Sequence, residues 1–210
     1  MYEVSKIIEH EVDQRSKEWF DLRAGRLTGS HFAEIMPSAK ARTPWTQAQD
    51  KVIYRIAAEI LTRQADRKFF VSDAMQWGID HESEAVGAVC LEMVINNRDC
   101  GIFQRGEYVA SSPDAILGAN ELTLEVKCPS SAVHLQYLKD PETLWNNYKW
   151  QVLGEMYCTG IMKGVLASFD PRFPDGKDLV IYHPKDYQDD IKRLEDRLYD
   201  VERRIKELIA

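Results

Sequence analysis

Positive charge is in short supply in this chain. Its 210 residues include 27 lysines and arginines against 34 acidic side chains, a formal net charge of −7, the reverse of the basic footprint of most nucleic-acid binders. The deficit argues against DNA without excluding it, because net charge averages a carboxylate-rich metal site with basic residues along a groove. Paired cysteines are missing too. Cys90, Cys100, Cys128 and Cys158 contain no C-x-x-C pair, so neither a zinc ribbon nor a disulfide framework is indicated, and reduced, mostly buried thiols are expected. Four thiols can also ligate an iron–sulfur cluster, although the spacing matches no common run. No apolar run reaches the roughly eighteen residues of a membrane span, and the start, MYEVSKIIEHEVDQ, has neither a basic n-region nor an apolar h-region. A soluble, intracellular protein is the expectation. Repeats, low-complexity tracts and obvious linkers are absent as well, and 44% hydrophobic content over this length suits one domain, residues 1–210.

What is present reads as helices, then strands, then helices. RSKEWFDLRAGRLTGSHFAEIM gives two helices: Ser16 caps the first, Gly25 ends it, and Thr28-Gly29-Ser30 opens the second. That opening, with Arg23 and Arg26 upstream, is either a seat for an anion or an ordinary cap beside solvated arginines. Lys51 to Arg63 is an amphipathic helix, and helical periodicity resumes over AMQWGIDHESEAVGAVCLEMV, with Glu82 and Glu84 near its middle. GIFQRGEYVAS reads as a hairpin around Arg105-Gly106; AIL and LTLEVKCP form a second pair around Gly118-Ala119-Asn120. A helix over Trp145 to Tyr157, strands KGVLASFDP and DLVIYHP, and a long C-terminal helix follow. That helix carries Tyr187, Ile191, Leu194, Leu198, Val201, Ile205 and Leu208, a seam that fits packing against its own sheet or a coiled coil. The order indicates an α/β or α+β domain with a mixed sheet.

One segment carries chemistry. In LTLEVKC, alternation sets Leu122, Leu124, Val126 and Cys128 on one face and Thr123, Glu125 and Lys127 on the other. Glu125 and Lys127 therefore address one spot from about 6.6 Å apart along the strand. If the preceding strand pairs with this one, Asp114 is carried alongside. Two carboxylates with a peptide carbonyl between them make a hard, oxygen-rich seat for Mg²⁺, and a lysine beyond it can orient or help deprotonate an attacking water. The same alternation also describes any half-exposed strand.

The motifs extend further. Ser112-Pro113-Asp114 followed by Leu124-Glu125-Val126-Lys127-Cys128-Pro129 resembles the PD-(D/E)XK nuclease signature, and more narrowly the YqaJ-type viral recombinases typified by phage lambda exonuclease. Trp19 to Ser30 resembles that family's W-x-x-L-R-x-G-x-(I/L)-T-x-S, Trp77 to Glu82 its W-G-x-x-x-E, and Tyr148 to Val152 its Y-x-x-Q-(V/I) helix. The resemblance implies a restriction-endonuclease-like core with a central mixed sheet flanked by helices. It implies that Asp114 and Glu125 hold metal, with the Val126 carbonyl and Glu82 as further ligands, and that Lys127 positions the nucleophilic water. Arg23, Ser30, Ser112 and Gln151 then hold a 5′ phosphate. His81 receives no role and is taken as a neutral helix histidine. The implied cofactor is Mg²⁺, one or two ions, with Mn²⁺ as a substitute.

The activity implied is 5′ to 3′ digestion of one strand of linear double-stranded DNA to mononucleotides, by a homotrimeric ring working with a phage-type single-strand annealing protein. A phage or prophage gene expressed in the bacterial cytoplasm is implied with it, and no membrane. Arg42, Lys51, Arg67 and Lys68 are candidates to line the ring. Rival readings are an iron–sulfur nuclease on the same core, a non-catalytic DNA-end-binding subunit, and an acidic domain binding another phosphate ligand. Ala115 stands where the family often has glycine, which touches the turn and not the ligands.

Overall fold

The computed structural model describes residues 6–36, 45–65 and 71–210; of the candidate ring residues, Arg42, Arg67 and Lys68 lie outside the described residues. Among the described residues the chain runs β1 (Ile7–His10), α1 (Lys17–Arg23), α2 (Gly29–Ile35), α3 (Gln47–Thr62), α4 (Asp73–Met93), β2 (Asn97–Arg98), β3 (Ile102–Arg105), β4 (Ala110–Ser111), β5 (Ala115–Leu117), β6 (Leu122–Lys127), α5 (Ser131–Lys139), α6 (Pro141–Thr159), β7 (Gly164–Phe169), β8 (Leu179–Tyr182) and α7 (Gln188–Ile209). Two sheets result. One has the order β1-β3-β4, and the other the order β2-β5-β6-β7-β8, with β6 and β7 parallel and the other pairs antiparallel.

Local chemistry sets the helix starts. The Ser16 hydroxyl accepts from the Trp19 N–H at 3.2 Å and opens α1. At α3 the start is Gln47, earlier than apolar periodicity marks it, because Thr46 and Gln49 form a reciprocal capping box. Strands β1 and β2 and helix α5 are further elements that the periodicity does not mark. β1 shows an exposed pattern, and it exists as a strand because it pairs with β3, Ile8 opposite Gln104. Short strands of this kind gain their order from the partner and carry little pattern of their own.

Alternation along the larger sheet builds two cores. Leu124 and Val126 of β6, Ala115 and Leu117 of β5, and Val165, Ala167 and Phe169 of β7 face Ala85, Val86 and Val89 of α4. The opposite face, with Ile116 and Leu166, joins α2, α3, α6 and α7 in the larger cluster. Leu194, Leu198, Val201 and Ile205 of α7 are buried within that cluster, so its seam packs inside the chain. Helix α2 lies flat on α6: a Cβ on Gly154 would stand 2.1 Å from the Phe32 ring, so this crossing accepts only glycine.

Candidate active site

The site grows from the pairing of β5 with β6. Ala115 opposes Leu124, and the Asp114 N–H donates to the Leu124 carbonyl at 3.0 Å, so the residue before β5 stays in register. The Asp114 carboxylate then accepts from the Val126 N–H at 2.7 Å, which brings it beside Glu125. Gln14 steadies the Ser-Pro-Asp turn: its amide donates to the carbonyls of Cys100, at 3.0 Å, and Pro113, at 2.9 Å. Glu125 is only 3% exposed and Thr123 is fully covered, so the half-exposed-strand alternative does not hold. Helix α6 covers this face.

Helix α6 supplies the rest of the cluster from one face. Tyr148, Gln151 and Glu155 are spaced three and four residues apart, which stacks them over one another. Lys127 donates to Glu125, donates to the Gln151 side-chain carbonyl at 3.1 Å, and lies 4.8 Å from the Tyr148 ring centre. The Gln151 amide nitrogen donates to Glu125 and, at 3.2 Å, to Glu155. Glu155 is 1% exposed, and no motif named it; the i, i+4 spacing from Gln151 was the available signal.

Charge here is under-compensated. Oε2 of Glu125 and Oε2 of Glu155 are buried without a hydrogen-bond partner. Burial, then repulsion from Glu125 and Glu82, raises Asp114 well above the usual carboxylate range, against the pull of Lys127 and the Val126 N–H. Burial and Glu125 raise Glu155 likewise. For Lys127 burial works toward neutrality, but Glu125 and Asp114 outweigh it and keep the ammonium charged. A charged Lys127 donates, so it can orient a water or stabilise an anion, and it cannot accept a proton in this state.

Glu82 of α4 lines the same cavity of about 630 Å³ as Asp114, but its carboxylate is paired with the Arg15 guanidinium. Among the described residues no three His, Cys, Asp or Glu side chains are gathered into a set able to hold a metal ion. Asp114 and Glu125 are nevertheless hard oxygen donors set against each other, one with an orphaned buried oxygen, and that pair fits a hard divalent cation. The thiols do not fit an iron–sulfur cluster. All four are unbridged, and among the described residues no three of them gather into a set able to hold a metal.

The residues expected to hold a phosphate are partly drawn together. Arg23 lies over the Trp19 ring at 4.1 Å and donates to the Thr28 hydroxyl at 3.0 Å, while the Trp19 indole N–H donates to the Ser112 hydroxyl at 2.8 Å. Trp19 thus links Arg23 to Ser112, a role its motif alone did not reveal. Ser30 is exposed in the first turn of α2. A Cβ on neighbouring Gly29 would lie 3.4 Å from the Gln151 amide nitrogen, so that turn abuts the acidic cluster. Gln151 itself is turned toward Lys127, Glu125 and Glu155. His81 stacks on Trp77 with ring centres 3.7 Å apart, its Nδ1 standing 2.9 Å from the Trp77 carbonyl.

The architecture has close counterparts among solved structures. The alkaline exonuclease LHK-Exo of Laribacter hongkongensis superposes with a TM-score of 0.72 at 24% identity, over 92% of this chain and 96% of that one. The same exonuclease in complex with dAMP gives 0.71 at 25% identity with equal coverage. A phage-related exonuclease from Haemophilus somnus 129PT gives 0.71 at 12% identity, over 88% and 95% of the two chains. No curated protein matches the chain in sequence. Residues 18–162, the span that contributes Arg23, Glu82, Asp114, Glu125, Lys127 and Gln151, match the YqaJ-like viral recombinase domain, and the chain belongs to that family.

Proposed function

We propose that this chain is a Mg²⁺-dependent exodeoxyribonuclease that digests one strand of linear duplex DNA in the 5′ to 3′ direction from 5′-phosphorylated ends. The observation that carries this reading is the gathering of half-buried Asp114 and Lys127 around buried Glu125, in the motif order of the family, with carboxylate charge left uncompensated. The solved relative in complex with dAMP supports a nucleotide as the class of product.

Asp114, Glu125 and the Val126 carbonyl would hold the cation. When bound, that ion supplies Lewis-acid stabilisation of charge developing on phosphoryl oxygens. Lys127 donates from its charged ammonium to the attacking water and holds its lone pair toward phosphorus. Glu125 and Gln151 fix the Lys127 amine, and Glu155 fixes the Gln151 amide, so the donor arrives oriented. Arg23, Ser30 and Ser112 would bind the terminal 5′ phosphate, with Gln151 between that grip and the cutting centre. A trimeric ring, a phage-type annealing partner and Lys51 as a ring-lining residue belong to the same proposal.

The deciding experiment incubates linear duplex DNA, with and without a 5′ phosphate, with wild type and Lys127→Ala in Mg²⁺ and then in EDTA. Wild type is expected to digest the phosphorylated duplex in Mg²⁺ only, and Lys127→Ala to leave it intact. Intact DNA with wild type in Mg²⁺ would sink the enzymatic reading. Digestion indifferent to the 5′ phosphate would remove the roles of Arg23, Ser30 and Ser112 alone. Sedimentation tests the trimer.

A further inference from the structure

Arg15 departs from ordinary surface arginines in two ways. Its backbone is left-handed, with φ of 68°, a conformation that glycine adopts freely and a residue with a Cβ adopts only at an energetic cost. Its guanidinium also closes on Glu82, a residue 67 positions away in the chain. The turn that carries it is pinned on both sides. Gln14 spans the carbonyls of Cys100 and Pro113, and Ser16 caps α1. Arg15 is therefore held against Glu82, which lines one cavity with Asp114.

Glu82 has one carboxylate to give, and Arg15 takes it. The arginine stays charged across the working range of pH. The pair is partly open to solvent, with the Arg15 side chain 40% and the Glu82 side chain 25% exposed, and such pairs are weak enough for another cation to compete. We propose that Arg15 is a built-in competitor for cation at Glu82. Its guanidinium supplies the positive charge that Glu82 would otherwise draw from a second metal ion. The site then takes one ion through Asp114 and Glu125, and a second ion binds only by displacing Arg15.

This inference rests on the metal-dependent reading above, and a direct binding measurement separates the two. Mn²⁺ is titrated into wild type, Arg15→Gly and Arg15→Lys, with bound ion counted by electron paramagnetic resonance. Glycine suits the left-handed backbone at this position, so Arg15→Gly is expected to fold, and a circular-dichroism melt checks that it does. Wild type and Arg15→Lys are expected to hold one ion per chain at moderate Mn²⁺. Arg15→Gly is expected to hold two, the second about tenfold tighter than in wild type, equivalent to roughly 1.4 kcal/mol. Adding Glu82→Gln to Arg15→Gly should abolish the second ion. Equal stoichiometry and affinity in wild type and Arg15→Gly overturn the inference alone, as does a second ion that survives Glu82→Gln. No ion bound by any of the proteins overturns the metal reading, and the inference falls with it.

Discussion

Two neighbouring parallel strands, β6 and β7, end side by side, with Lys127 opposite Ser168, and each places buried carboxylate charge near that edge. Beyond β7, Asp170 is fully covered, yet every side-chain oxygen is satisfied. It accepts from the Arg172 N–H at 3.0 Å and from the Arg172 guanidinium at 2.7 and 2.8 Å. Burial alone would raise it, but hydrogen bonds from Arg172 and Ser131 prevail and hold it at about 2. On β6 and the helix above it, Glu125 and Glu155 keep orphaned oxygens, and Asp114 and Glu155 are pushed upward. Burial is common to both strand ends. What separates them is whether the charge is answered inside the protein, and unanswered buried charge marks a candidate functional site.

Substitution can break this contrast. Glu125→Gln is expected to lower the nuclease rate by about a hundredfold to a thousandfold, while the melting temperature holds, because the amide oxygen still accepts from Lys127 and the lost ion pair is offset by weaker repulsion on Asp114 and Glu155. A protein that melts several degrees lower and still cuts DNA would make Glu125 a structural carboxylate of the Asp170 kind. Glu155→Gln is the milder version: it should raise unfolding stability by about 1 kcal/mol and slow turnover roughly tenfold through a loosened Gln151 and Lys127, with little change in DNA affinity.

Asp170→Asn should do the opposite, costing about 1 kcal/mol at neutral pH once the exposure of Arg172 is discounted, with the rate per folded molecule unchanged. Its pH signature sharpens the point. A folded value of about 2 against the ordinary 3.8 means that the Asp170 contribution is present above about pH 4 and is lost as pH falls toward 2. Asp114 and Glu155 run the other way. Their raised folded values make the metal-free protein take up protons on folding, so their contribution to stability falls as pH rises through those values. Denaturant melts across pH, for wild type, Asp170→Asn and Glu155→Gln, resolve the two opposed slopes.

Much of the fold was legible because it rests on local rules. Period-two alternation placed Leu124 and Val126 against α4 and Glu125 and Lys127 on the other face, and heptad spacing marked α7. Strand β1 was not legible, since its order comes from β3 far along the chain. The site was legible where a short motif fixes geometry, as with Asp114 against β6. It was not legible where two distant elements meet. Trp19 reaching Ser112 and Arg15 reaching Glu82 are tertiary encounters, whereas Glu155 left one trace, its i, i+4 spacing from Gln151 on the same helix.

The glycine-on-ring crossing of α6 and α2 has a mechanical meaning under the proposed function. Gly154 sits one turn from Gln151, Phe32 sits one turn from the Thr28-Gly29-Ser30 opening, and the Phe32 ring packs directly on the bare Gly154 backbone. The phosphate grip and the cutting centre are thereby bolted to one frame, like the two jaws of a fixed gauge. The length of each bite becomes a property of packing, with no loop between the jaws to let it vary. Gly154→Ala combined with Phe32→Leu, which refills the crossing at a different spacing, should spread the products beyond mononucleotides on a sizing gel. An unchanged product would place the gauge elsewhere in the chain.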